Sequence, residues 1–438
     1  MREALALEII HTLQTLEHQA YLVGGCVRDR LLGIPPKDFD VSTDATPDQI
    51  AAYFPGSLQV GAHFGVILVT RPGGIQVEVA TFRTEGSYSD GRRPDQVQFV
   101  RDPALDARRR DFTVNGLLED PLAGEVLDFV GGRDDLAHKI IRAIGDPEQR
   151  FQEDYLRMLR AVRFAARLKF SLDPATLAAI RSQAHRITEI SAERIRDELV
   201  RMLTDPGARR AFELLDDCRL LEHILPEVKA FQGVQQPPEF HPEGDVWSHV
   251  LLMLAELQQP TVTLALGVLL HDVGKPPTFT VADRIRFNGH AEVGALMATQ
   301  ILERLKFSGD DLAQITSLVA NHMRFKDVQQ MRLSTLKRFL CLPRFQEHLE
   351  LHRLDCLASN GFTAAYRFVQ QKLLEFKEEE LRPPRLITGR DLINAGYKPG
   401  PDFRVALDAV ETAQLEGEIH NREQALAIAR SILDRAAA

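Results

Sequence analysis

The sequence predicts an α+β chain: a small head built on a mostly antiparallel sheet, followed by an all-helical neck, a histidine-rich helical domain and a helical tail. Three observations carry this prediction. Short β-rich runs separated by turn clusters fill residues 21–130. From about residue 139 the apolar residues recur at helical spacing and the strand signal fades. The chain has 438 residues, too many for one small core, so two to four units are expected. We divide it into 1–138 (head), 139–230 (neck), 231–365 (histidine-rich domain) and 366–438 (tail). FQGVQQPPEFHPEG at 231–244 reads as a linker, and RPPRL at 382–386 marks a further break.

Residues 1–20 have an amphipathic helix pattern with acidic residues, which argues against a transit peptide. The runs AYLVGG, DFDVST, GVILVT, IQVEVATF, QVQFV and EVLDFV read as strands, with RPGG and FPGS between them as turns. FQEDYLRMLRAVRFAARLKF and ISAERIRDELVRMLTD read as helices. With 44% hydrophobic and 26% charged residues, the composition is that of an ordinary soluble protein. There is no apolar run of bilayer length and no signal peptide. Four cysteines without a CxxC pair argue against a disulfide framework and suit a reducing cytoplasm. A net charge of −9 excludes a globally basic nucleic-acid binder, so any such contact needs a local basic face.

Chemistry first gathers in YLVGGCVRDRLLGIPPKDFD. Asp38 and Asp40 are two apart, so on a strand they share a face. Paired carboxylates repel unless cations lie between them, and Mg²⁺ takes carboxylate oxygens together with substrate phosphate. Such a pair suits two-metal displacement at a nucleotide phosphate. A bare DxD is more often a solvated loop, but its neighbours point to phosphate. Gly24-Gly25 makes a tight turn whose amides can approach phosphate oxygens, and Arg28 follows within pairing reach. Glu78 is the one acid in IQVEVATF. It is either a third metal ligand or a solvent-facing residue at a sheet edge.

LVGGCVRD followed by DFD resembles motif A of the class II tRNA nucleotidyltransferases and the related bacterial poly(A) polymerases. Arg109-Arg110-Asp111-Phe112-Thr113-Val114-Asn115 resembles that family's RRDxxxN motif, which implies a grip on ribose and triphosphate. Guanidinium groups answer phosphate charge, and Asp111 and Asn115 can bond sugar hydroxyls. Glu153, Asp154 and Arg157 resemble the EDxxR motif, which implies selection of CTP and then ATP. On one helix, positions 153, 157 and 160 share a face, as do 154 and 157, so an acid and an arginine would stand side by side. Arg160 and Arg163 continue the row toward the triphosphate. DFVGGRDDL (128–136) resembles the hinge-like segment before the base reader, where Gly131-Gly132 allows backbone movement. ERIRDEL (193–199) resembles a supporting helix. FRTEGSYSDGRRPDQVQF (82–99), with Arg83, Glu85, Asp90, Arg92 and Arg93, reads as a mobile polar loop. In that family its presence implies something other than a CC-only enzyme.

A second constellation lies in the helical half. His249, His271-Asp272, His290, His322 and Asp355 fall on successive helical segments. Imidazole with carboxylate suits a transition metal such as Fe, Mn, Ni or Co. The set resembles the longer H…HD…H…H…D pattern of HD-superfamily phosphohydrolases, which implies one or two metals, with Lys275 near phosphate. An inert remnant is the other reading. Residues 387–428 resemble the C-terminal segment of HD-containing nucleotidyltransferases.

The resemblance covers nearly the whole chain. It implies transfer of CMP, CMP and AMP to a tRNA 3′ end from CTP and ATP, with Mg²⁺ on Asp38 and Asp40. The HD domain would add phosphatase or 2′,3′-cyclic phosphodiesterase activity. Two rival expectations are a poly(A) polymerase of the same family, and a metal phosphohydrolase whose head only binds nucleotide.

Overall fold

The computed structural model describes residues 1–59, 65–86 and 96–437. The chain divides into two compact units, Met1–Lys229 and Ala230–Ala438.

In the first unit, α1 (Arg2–Thr15) buries Leu5, Ile9, Ile10 and Leu13, one stripe at i, i+4 spacing, against the sheet. Then follow β1 (Ala20–Val23), α2 (Gly25–Leu31), β2 (Asp40–Thr43) and α3 (Pro47–Tyr53). Thr46 and Gln49 close a capping box at the start of α3. Next come β3 (Val66–Arg71), β4 (Ile75–Thr81), β5 (Arg83–Glu85), β6 (Val97–Phe99), α4 (Pro103–Arg108), β7 (Leu118–Asp120) and β8 (Glu125–Leu127). Six strands form one sheet in the order β3-β4-β2-β1-β7-β8. Every neighbour is antiparallel except β2 with β4, which run parallel. The predicted α+β head with a mostly antiparallel sheet is therefore the observed one.

Helices complete this unit: α5 (Gly132–His138), α6 (Pro147–Glu153), α7 (Leu156–Leu168), α8 (Pro174–Gln183), α9 (Ala192–Thr204) and α10 (Ala208–Asp217). α7 packs against α9 and α10.

In the second unit, α11 (Val246–Ala255), α12 (Val262–Leu270), α13 (His290–Arg304), α14 (Gly309–Asn321) and α15 (Phe345–Ala358) enclose the histidines. At Gly274 an added Cβ would lie 2.1 Å from the His290 carbonyl oxygen, so glycine lets the turn after His271-Asp272 abut α13. Further along, α16 (Pro401–Glu416) and α17 (Arg422–Ala437) share a core of Val410, Ala425, Ala429 and Leu433.

Several expectations shift. β2 starts at Asp40, so Asp38 lies in the bend before the strand. QVQFV pairs with Arg83–Glu85 as a separate ribbon, and β7 arises in LLED, where no alternation announced a strand. The helix expected through FQEDYLRML is two helices, because Asp154 has an extended backbone (φ −156°, ψ 104°). Its carboxylate accepts the Leu156 N–H at 3.0 Å, which starts α7 afresh. The turn expected to hinge at Gly131-Gly132 is tightly built instead. Asp128 accepts the backbone N–H groups of Val130, Gly132 and Arg133, and a Cβ on Gly132 would meet the Thr113 carbonyl oxygen at 2.3 Å. Close packing requires glycine at 132. We therefore expect Gly132→Ala to lower unfolding stability by roughly 2–4 kcal/mol in urea titrations. Gly131→Ala has open space but a left-handed backbone (φ 78°), and is expected to cost about 1 kcal/mol.

Candidate nucleotide-transfer site and metal centre

A cleft of about 630 Å³ opens in the first unit. Gly24, at φ 76°, turns the chain from β1 into α2, and its N–H bonds the Leu117 carbonyl at 3.2 Å. Register places Val23 opposite Asp40 on one side and Leu118 on the other. The glycine turn, Gly25 and Asp40 thus meet at one end of the central strands, and all three line the cleft.

Asp40 also pairs in register with Glu78 across the parallel β2–β4 ladder. β4 is an interior strand, so Glu78 is not at a sheet edge, although its side chain is exposed and outside the cleft lining. Burial first, then the charges of Glu78 and Asp38, push the Asp40 carboxyl up to about 6, against the pull of Arg110. A divalent cation answers that crowding, so these residues fit Mg²⁺. Asp38 lines the cleft but is exposed and turned to Arg2, which hydrogen-bonds it. Among the described residues, groups of three converging donors occur only in the second unit.

The arginines are held by carboxylates. Arg28, buried, donates to Asn115 Oδ1 at 2.5 Å and to Asp29 at 2.8 Å. Arg109 and Arg110 both reach Asp106, at 2.8 and 3.0 Å, and Arg110 also donates to Ser42. Asp106 is fully buried; burial opposes its charge, and the two guanidinium groups outweigh that, lowering its pKa. Asp111 accepts from Asn115 at 3.1 Å and from Arg160 at 2.7 Å. Burial would raise the Asp111 carboxyl, but the Arg160 charge and hydrogen bonds bring it down to about 2.

The residues expected to read the base are paired otherwise than the helical spacing implied. Asp154 does not face Arg157. Both its oxygens are held by Arg194 of α9, at 3.1 and 2.7 Å. Arg157 pairs with Glu153 and donates to the Arg150 carbonyl at 2.9 Å. The cause is the break at Asp154, which places the two acids outside α7. Asp154, Arg157 and Arg160 line the cleft, whereas Glu153 is not part of the lining. Arg163 is not in the row either: it is buried on Glu198 at 2.6 Å and is not part of the lining. Sequence reasoning missed Asp106, Arg194, Glu198 and Asp29, which holds Arg28 and Arg167 together. The i+3 and i+4 spacing of Asp106 to Arg109 and Arg110 was a readable signal; Arg194 and Glu198 lie in ERIRDEL, which was read as a supporting helix without its partners. In the expected polar loop, Arg83 lines the cleft, and Asp90, Arg92 and Arg93 lie outside the described residues.

In the second unit the six predicted donors come together. His249, His271 and Asp355 converge as one group, and Asp272, His290 and His322 as another. The Nδ1 atoms of His271, His290 and His322 lie 2.9, 2.9 and 2.7 Å from the carbonyls of Val268, Phe287 and Val319. A carbonyl only accepts, so each Nδ1 carries a proton, and in the neutral ring each Nε2 keeps a lone pair. The Nε2 atoms of His290 and His322 stand 3.1 Å apart, and those of His249 and His271 are buried without a hydrogen-bond partner. Each of the latter is near a carboxylate, 3.2 Å to Asp355 and 3.1 Å to Asp272, yet outside hydrogen-bond alignment. Converging lone pairs with fixed tautomers fit a transition metal. Burial and the neighbouring imidazoles push His322 down to about 3, so it is neutral at pH 7. Lys275 Nζ lies 2.7 Å from Asp272 and 2.6 Å from Gln236.

The geometry defines a class: a nucleotidyltransferase head and neck, carried in one chain with a histidine–aspartate domain. Family models agree. The poly A polymerase head domain matches residues 20–142, the probable RNA- and SrmB-binding site of polymerase A matches 169–232, and the HD domain matches 246–349. The CCA-adding enzyme of Levilactobacillus brevis is 32% identical over 429 residues, 97% of this chain and 96% of that protein. That of Lactobacillus helveticus is 41% identical over 257 residues, 57% of this chain and 63% of that protein. The crystal structure of the Bacillus stearothermophilus CCA-adding enzyme in complex with CTP is 28% identical. It superposes with a TM-score of 0.75, covering 98% of this chain and 96% of that one. The chain belongs to the CCA-adding enzyme family and is a nucleotidyltransferase.

The raised Asp40 pKa has a stability consequence. The folded value lies above the unfolded one, so the metal-free protein loses stability as pH rises through the window from about 4 to about 6. Asp40→Asn removes that penalty. In chelator at pH 7.5 this variant should unfold at an equal or higher temperature than wild type, and calorimetry checks it.

Proposed function

We propose that the head and neck add the 3′-terminal CMP, CMP and AMP, or the AMP alone, to tRNA from CTP and ATP without a nucleic-acid template, releasing pyrophosphate. One observation carries this reading. A single cleft joins Asp38 and Asp40 to the arginines of the triphosphate grip and, further along, to Asp154 and Arg157. The incoming nucleotide lies with its phosphates at the Gly24-Gly25 turn, on the Gly25 amide, Arg28 and Arg110, where charge meets charge; the Gly24 N–H is already taken by the Leu117 carbonyl. Asp111 and Asn115 take the sugar hydroxyls. Asp154, an acceptor, and Arg157, a donor, face the base edge, and their rigid holding by Arg194 and Glu153 is what makes a protein surface selective. Asp38 and Asp40, with Glu78 beside Asp40, hold Mg²⁺, which when bound activates the 3′-hydroxyl and steadies the leaving pyrophosphate. The second unit acts as a metal-dependent phosphatase or 2′,3′-cyclic phosphodiesterase, with His249, His271, Asp272, His290, His322 and Asp355 holding a transition metal and Lys275 meeting phosphate.

The chain then works as four parts, 1–138, 139–230, 231–365 and 366–438, in the cytoplasm. Its four cysteines are free, and among the described residues no helix is long and apolar enough to cross a membrane.

Labelled CTP, ATP or both, offered with tRNA ending before CCA, after C and after CC, tests the reading on a sequencing gel. Stepwise C, C, A addition or A-only addition supports it. Long A tails on unrelated RNA, or no incorporation, overturn it. Asp40→Ala should reduce incorporation at least 10³-fold, the scale on which removing preorganised charge stabilisation acts. Asp272→Asn should abolish hydrolysis of 2′,3′-cyclic AMP while incorporation persists.

A further inference from the structure

The stretch read as a linker in the sequence is folded onto the histidine–aspartate centre of its own unit. Gln235 bridges Asp245, Val246 N–H bonds the Val234 carbonyl at 3.1 Å, and Asp245 accepts the Gly233 N–H at 2.8 Å. Asp245 also caps α11 through Ser248 N–H at 2.9 Å. Gln236, further along the same stretch, holds Lys275. Between these fixed points lie His241 and Glu243, neither of which belongs to the six-donor pattern.

One oxygen of Glu243 lies between two imidazoles. Oε1 is 2.7 Å from His249 Nδ1 and 2.8 Å from His241 Nδ1. A carboxylate only accepts, so both Nδ1 atoms carry protons, which leaves the two Nε2 atoms as the positions open to a metal. This is the arrangement by which an orienting carboxylate fixes a metal-ligating histidine. His241 packs edge-on against His249, with ring centroids 5.0 Å apart, and lines the cavity that also exposes Asp272, Lys275 and Asp355. His241, Glu243 and His249 offer donor atoms within 4.8 Å of one another. The second Glu243 oxygen, Oε2, is buried with no hydrogen-bond partner. An unanswered buried carboxylate oxygen is costly unless positive charge stands near.

We infer that Glu243 is the positioning carboxylate of the histidine–aspartate centre and holds His241 as a seventh donor to its metal. The inference rests on the reading of that centre as metal-binding. Glu243 turns the Nε2 of His249 toward His271 and Asp355, and keeps that of His241 at the cavity mouth.

Co²⁺ titration of the full-length apo-protein, followed by visible d–d absorption, tests this. Wild type should bind Co²⁺. Glu243→Gln, which keeps the shape and one accepting oxygen but removes the negative charge, should bind about 10–100-fold more weakly. His241→Asn should weaken binding and move the absorption band, because one nitrogen leaves the ligand set. Nucleotide incorporation, catalysed by the other unit, and apo-protein melting should stay near wild type in both variants. Wild-type affinity and spectrum in Glu243→Gln, or in His241→Asn should Glu243→Gln not fold, would overturn the inference alone. A wild-type chain that takes up no Co²⁺ would overturn the metal reading and this inference with it.

Discussion

Nine arginines line one half-buried cleft, and no fold can hold them there unless carboxylates answer them. Much of the first unit follows from that need. Asp106 serves Arg109 and Arg110, Asp29 serves Arg28 and Arg167, Asp111 serves Arg160, and Asp154 serves Arg194. Most of these pairs join elements distant in sequence, such as Asp29 with Arg167, Asp111 with Arg160 and Asp154 with Arg194. The guanidinium groups are consequently held in place without a ligand, so on the proposed function little side-chain entropy remains to be lost on binding phosphate. The sheet contributes the opposite element, a carboxylate at Asp40 that has too little positive charge beside it.

The second unit solves a related problem without arginine. Its donors are imidazoles, and the question there is which nitrogen carries the proton. Backbone carbonyls at Val268, Phe287 and Val319 settle it for His271, His290 and His322, and a carboxylate settles it for His249. His271 and His322 sit just past the last residues of α12 and α14. There the last-turn carbonyls lack helical N–H partners and can accept ring protons. The helix ends thus act as the outer shell of the centre.

The sequence disclosed chemistry better than geometry. Gly24, Arg28, Asp40, Asp111 and Asn115 were picked out by residue type, spacing and family resemblance, and the structure brings all five to one cleft. The six histidine and aspartate donors were legible because such residues are rare on apolar helix faces. What stayed hidden was partnership. Nothing in EDYLR shows that Asp154 breaks the helix, so its pairing with Arg194 and that of Arg157 with Glu153 were out of reach. Arg163 looked like a member of the arginine row because helical spacing put it there, yet its ring of neighbours includes Glu198, thirty-five residues on. Glu243 and His241 lay in a proline-rich stretch whose composition says loop and conceals that the loop is pinned at both ends.

The parallel pairing of β2 with β4 also bears on how the molecule comes to be. Antiparallel neighbours such as β3 and β4 meet through a short turn, but Asp40 and Glu78 meet only after the chain between them has crossed over. Loop-closure entropy makes such pairings late events in folding. The β2–β4 ladder, and with it the meeting of the two acids, thus follows closure of the β3–β4 hairpin.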